Sequence, residues 1–227
     1  MPLAVVRGFV LFAFAAIASA QSLPDAPEPR GAVAPLVDAP KRYADALEAW
    51  KTPEDIARFT DATFVYDRRR ALALAETTGP RTSRPAIHAP EAMFDKPHGV
   101  CIDLARFGVE TLNRLDPAYD ARYVMLEFEP VIVEGRSLRR HWVASFRRGG
   151  KVWVFADSRR PGHVAGPYES VDAFVADYAR YRSQPIVAFR ETGTYLRTMR
   201  AAARAATSGS TGSRPTACRH GATVACS

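Results

Sequence analysis

The sequence predicts an α+β fold, on three observations. Helical apolar spacing dominates up to Leu115, strand-like apolar runs dominate from residue 121 onward, and Gly149-Gly150 separates two of those runs at hairpin distance. Helical and strand runs are grouped rather than alternating, which is the pattern of an α+β domain. The 227 residues suit one ordinary domain with tails, and a hydrophobic fraction of 47% is enough for a packed core.

The flanks are expected to lie outside that domain. Residues 1–20 read as a secretory signal. Arg7 gives a positive start, Phe9 to Ile17 is apolar, and Ala18-Ser19-Ala20 fits a small-residue cleavage site that leaves Gln21 first. The apolar run is too short for an ordinary transmembrane helix, and no cysteine follows the cleavage site to carry a lipid. The expectation is a periplasmic or secreted protein, without stable membrane insertion after cleavage, in an oxidising compartment. An uncleaved interfacial helix is the alternative. Residues 21–40, rich in Pro and Ala, are expected to be a disordered lead. The domain is expected over 41–200. Residues 201–227 are expected to be a disordered tail in which Cys218 and Cys226 close a small disulfide loop.

Within the domain each element has a local cause. Tyr43, Leu47 and Trp50 fit one face of a first helix. Thr52-Pro53-Glu54-Asp55 reads as a helix start, with Thr52 as N-cap, Pro53 in the first position and Asp55 in the capping-box slot. That helix is expected to be short, through Phe59. Residues 64–66 read as extended and 68–76 as helical again. Residues 77–92, punctuated by Gly79-Pro80, Arg84-Pro85 and Ala89-Pro90, read as a long loop of the kind that is often functional. A central helix follows, with Ile102, Ala105, Val109 and Leu112 on its apolar face and Asp116-Pro117 as its stop. Residues 121–134 have strand character interrupted by Pro130, as two strands or one broken strand. Residues 141–147 and 151–157 form the hairpin, and 161–167 read as a loop. Val171, Phe174, Val175 and Tyr178 mark a last helical face, and 186–189 a last strand.

Chemistry centres on Pro97-His98-Gly99-Val100-Cys101-Ile102-Asp103. Cys101 is the only cysteine before the last ten residues, and it falls in the first turn of the central helix. Unpaired N–H groups and the positive end of the helix dipole favour a thiolate there. A buried structural cysteine would use the same position, so the site needs a base and something to orient it. His141, held on a strand beside Trp142, is the base candidate, and Asp157 at the far end of the hairpin is the orienting candidate. Their contact depends on register. A two-residue Gly149-Gly150 loop sets Trp142 opposite Asp157 and turns His141 to the other face; a three-residue loop or a one-residue bulge sets His141 opposite Asp157. The three-residue form, or an equivalent one-residue bulge, is expected, and a flat two-residue turn without a bulge would rule the triad out.

The runs Gly99-Val100-Cys101-Ile102-Asp103-Leu104-Ala105, Arg140-His141-Trp142-Val143 and Val152-Trp153-Val154-Phe155-Ala156-Asp157 resemble the transglutaminase-like superfamily, in particular the bacterial transglutaminase-like cysteine peptidases. The resemblance spans residues 53–189. It implies a papain/transglutaminase-like core in which a Cys-bearing helix packs on an antiparallel sheet carrying His and Asp. It also implies a thiol protease or amidase with Cys101 as nucleophile, His141 as general base and then acid, and Asp157 as orienter. The Cys101 backbone N–H is one expected oxyanion donor. Trp142 is expected to touch substrate, and Tyr66 is a weaker candidate for that role or for the second donor.

The family's core motif also serves amide cross-linking acyl transferases and non-catalytic binding modules, and those readings stay open. No cofactor is expected. Some relatives bind calcium, but no dense acidic loop here requires it. A metal site built from His88, His98, Cys101 and His163 matches no common ligand spacing, so no metal is expected. The net charge of +7 and pI near 9.6 come from scattered arginine pairs and one triplet, Arg68-Arg69-Arg70. Without a DNA- or RNA-binding signature they do not indicate nucleic acid. The expected partner is a protein, peptide or cell-envelope amide substrate, met by a monomer.

Overall fold

The computed structural model describes residues 23–33, 36, 39–75 and 85–195. Residues 1–20, expected to be a secretory signal, and the tail with Cys218 and Cys226 lie outside the described residues. The fold is α+β, with a five-stranded antiparallel sheet and a helix that carries a buried Cys101.

The helices come first. α1 (Tyr43–Ala49) is followed by α2 (Pro53–Thr63), which starts on the expected capping box: Thr52 accepts from the Asp55 N–H while Asp55 accepts from the Thr52 N–H. α2 runs one turn past Phe59. Strand β1 (Val65–Tyr66) then leads into α3 (Arg68–Leu74). The stretch expected as loop contains a helix, α4 (Pro90–Asp95), started by Pro90 at its first position. Strand β2 (His98–Gly99) pairs in parallel with β1, so Tyr66 lies opposite Gly99. The central helix α5 (Cys101–Leu115) begins at once and stops at Asp116.

The sheet comprises β3 (Arg122–Val133), β4 (Arg136–Arg148), β5 (Lys151–Phe155), β6 (Ala165–Tyr168) and β7 (Ile186–Thr192), in the order β6-β5-β4-β3-β7. β3 is a single interrupted strand: the disturbance at Pro130 is absorbed by a register shift between Glu127 and Val131. β6 arises inside the expected 161–167 loop. Helix α6 (Val171–Arg182) precedes β7.

Alternation along the strands gives the sheet two apolar faces. Ala144, Phe146 and Phe155 join the α5 side, where Tyr43, Trp50, Phe59, Phe94 and Phe107 form an aromatic cluster with Phe59 stacked on Phe94 at 4.9 Å. Val124, Leu126, Val143, Val152 and Val154 join the other side, under Val171, Phe174 and Tyr178 of α6.

The hairpin corrects the register expectation. Arg148 pairs with Lys151, so Gly149-Gly150 is a two-residue loop, and pairing stays regular to Ala144 opposite Phe155. Both glycines have positive φ, +60° and +73°, as such a tight hairpin turn requires. Asp157 reaches His141 anyway, for a reason that lies after the strand. β5 ends at Phe155, and Ala156 adopts φ +57°, a left-handed conformation uncommon for a residue with a side chain. That single inversion breaks the alternation. Ala156 turns toward α5, where the Gly108 backbone approaches so closely that a Cβ there would lie 2.8 Å from the Ala156 Cβ. Asp157 is carried to the α6 side, where His141 points.

Part of the Pro/Ala-rich lead packs on the domain. Residues 23–28 are seated against the domain, with Leu23 and Asp25 buried.

Candidate active site

Three segments meet where β5 leaves the sheet: the start of α5, the part of β4 at His141 that lies beyond its pairing with β5, and the turn after Ala156. α5 is fixed there by its own motif. Asp103, fully buried, accepts from the Val100 N–H at 3.1 Å, from the His88 N–H at 2.9 Å, and from both prongs of the Arg70 guanidinium at 2.7 Å. A Cβ on Gly99 would fall 2.9 Å from the Asp103 Cβ, so the helix start leaves no room for a side chain there. The Gly-x-Cys-x-Asp run is therefore a clamp: Asp103 ties α3 and the 86–88 segment to the first turn and aims Cys101.

His141 is 2% exposed, and its Nε2 lies 2.9 Å from Asp157 Oδ1. Asp157 also accepts from the Arg159 N–H at 2.9 Å and from the Tyr178 hydroxyl at 2.9 Å. Burial alone would raise the Asp157 carboxyl, but the His141 charge and these donors bring it down to about 2. An ionised carboxylate only accepts, so the proton between them sits on His141 Nε2. Nδ1 is buried and has no hydrogen-bond partner, so it is the ring nitrogen left for the thiol side. The Tyr178 ring stacks on the imidazole at 5.9 Å and 9°.

Cys101, a free and buried thiol, is the third member. One donor atom each from Cys101, His141 and Asp25 lies within 4.8 Å of the others. The helix start leads to the expectation of a lowered thiol pKa, and the structure reverses it. Burial, the Asp25 carboxylate and the hydrogen bond Asp25 accepts from the thiol push Cys101 well up; the Trp142 backbone N–H, directed at the sulfur, opposes them only in part.

Tyr66 and Trp142 both border this point. The β1–β2 pairing brings Tyr66 beside the α5 start, and its hydroxyl donates to Asp25 Oδ1 at 2.9 Å. Trp142, half-buried, lines a mostly apolar cavity of about 520 Å³ together with Asp25, Leu74, Ile87, Val100 and Cys101. His88 donates its backbone N–H to Asp103, and His98 is exposed on β2. Among the described residues, metal-ligand chemistry converges instead at Asp25, Cys101 and His141, and there Tyr66 and the Cys101 thiol already donate to the carboxylate.

Two residues of this site escaped the sequence reading. Tyr178 falls on the same helical face as the core residue Phe174, and nothing in its spacing separates the two. Asp25 sat in a Pro/Ala-rich lead whose composition carries no packing signal. Neither a scan against protein-family models nor a search of curated proteins finds a match to this chain.

Proposed function

We propose that this protein is an exported cysteine hydrolase of peptide or other amide bonds, on a transglutaminase-like, papain-like core. One observation carries the reading. Asp157, His141 and Cys101 stand in sequence, with the carboxylate on Nε2, a free Nδ1, and the thiol at the first residue of α5. Arrangements of that order pass a proton from sulfur to Nδ1 as Sγ attacks the substrate carbonyl carbon. The Cys101 backbone N–H, at the helix start, would donate to the oxygen that gains charge, and the Tyr66 hydroxyl, which meets the Cys101-adjacent Asp25, is the candidate second donor. The tetrahedral adduct collapses as Nδ1–H protonates the leaving amine. Water then attacks the thioester carbon, giving a proton to Nδ1; the C–S bond breaks, the acid product leaves, and Nδ1–H returns the proton to sulfur. Trp142 and the adjoining cavity would hold an apolar part of the substrate. An amine in place of water would make the same acyl-enzyme a transferase.

One observation favours a second reading, a non-catalytic binding module: the thiol is buried and a carboxylate stands beside it. Alkylation of Cys101 against pH separates the two. An enzyme, once substrate has access, gives a rate that stays high well below the ordinary thiol pKa of about 8.5 and is lost in His141→Ala. A module gives an ordinary titration indifferent to His141. Among the described residues no helix is long and apolar enough to cross a membrane. The proposed export rests on residues 1–20.

A further inference from the structure

The lead is bound as a ligand would be. Pro24 offers its carbonyl to Arg159 Nη1 and to Arg182 Nη2, each at 2.8 Å. The Asp25 carbonyl accepts from the buried Ser158 hydroxyl at 2.7 Å, and its carboxylate sits between the Tyr66 hydroxyl and the Cys101 thiol. Three residues on, the Glu28 N–H donates to the Arg159 carbonyl at 3.0 Å. The Glu28 carboxylate takes Arg159 Nη2 at 2.7 Å and the Tyr181 hydroxyl. Arg160 stacks over the Tyr181 ring at 3.7 Å, adding positive charge to the same wall. Main-chain and carboxylate contacts thus recur along one short segment, which turns at residues 23–26 through the Ala26 N–H to Leu23 carbonyl bond at 3.0 Å, and two of the residues making them are acidic.

What reaches the sulfur is a carboxylate. It carries no leaving group and its carbon is poorly electrophilic, so a thiol beside it does not react. The neighbouring residues 29–32 are exposed, and around Gly31 there is open space.

We propose that this groove, formed by Tyr66, Ser158, Arg159, Tyr181 and Arg182, is a binding site for an acidic peptide, and that residues 23–28 fill it in the resting state as a removable plug. The inference rests on Cys101 being the reactive centre. It adds a substrate class, peptides with carboxylates three residues apart, and a form of control, in which cleavage within 29–32 or competition by such a peptide opens the site.

The test uses the full mature chain and mass-spectrometric alkylation of Cys101 by iodoacetamide, which separates it from Cys218 and Cys226. Asp25→Ala/Glu28→Ala is expected to react about tenfold faster than the unaltered protein, and a synthetic peptide of residues 21–30 is expected to protect the variant again, whereas a scrambled peptide does not. Trypsin nicking after Arg30 in the unaltered protein is expected to release the same reactivity. Equal rates in variant and parent, with circular dichroism showing both folded, would overturn the proposal. So would an increase produced by a chelator alone, which would make Asp25 a metal ligand rather than a plug. Adding His141→Ala to the opened variant separates the two ideas: a thiol that is exposed but indifferent to His141 keeps the plug and removes the enzyme.

Discussion

Four groups surround the Asp157 carboxylate, and its charge state links stability to the site. His141, the Arg159 N–H and the Tyr178 hydroxyl donate to it, and Arg160 stands 4.0 Å away. Its pKa of about 2 in the folded protein lies below the unfolded value of about 3.9. The stabilisation is therefore complete above roughly pH 4 and is lost as pH falls through about 2. Denaturant unfolding at pH 5 and pH 2.5 is expected to show a large loss in the unaltered protein and a smaller one in Asp157→Asn. If the two lose equally, Asp157 is not the carboxylate that gives way. Cys101 illustrates the same scale from the other side. The helix start was legible, but the sign of the pKa shift was not, because burial and Asp25 outweigh the dipole at that atom.

At the scale of elements, α5 is seated on the sheet through a contact of two small residues, Gly108 and Ala156. A methyl on Gly108 has nowhere to go without separating α5 from the turn that carries Asp157. Gly108→Ala is expected to cost about 1–3 kcal/mol, read as a shift in the denaturation midpoint, despite the better helix propensity of alanine. Ala156→Gly relieves the left-handed backbone and is expected to be neutral or stabilising by up to about 1 kcal/mol. A stabilising Gly108→Ala would mean that the helix sits farther from the sheet. The elements themselves were largely readable. The Thr52 capping box, the start and stop of α5, and the apolar face of α6 depend on residues close in sequence. α4 and β6 were missed because Pro-rich stretches read as loops, and a six-residue helix and a four-residue strand are too short to show a period.

At the scale of the molecule, the Arg70–Asp103 pair ties distant segments together. Asp103 is fully buried, and Arg70 is its charged partner from α3, 33 residues away. Arg70→Ala leaves a buried carboxylate with only backbone donors and is expected to cost about 3–5 kcal/mol in thermal unfolding. An Arg70→Ala loss below about 1 kcal/mol would mean that the site is wet enough to solvate Asp103.

By itself the sequence determined the α+β class, the helix that begins at Cys101, the strand bearing His141 and the turn at Gly149-Gly150, because periodicity, caps and glycines act over a few residues. Only the tertiary structure decided whether those residues meet. The two-residue hairpin would have parted His141 from Asp157, and a single left-handed residue, held against Gly108 of a helix 48 positions earlier, joins them. The seating of Asp25 beside Cys101 is likewise decided by Ser158, Arg159 and Arg182, more than 130 residues away in the chain. Local signals specify elements; the closing of long loops, and the side chains it buries together, is set by packing over the whole fold.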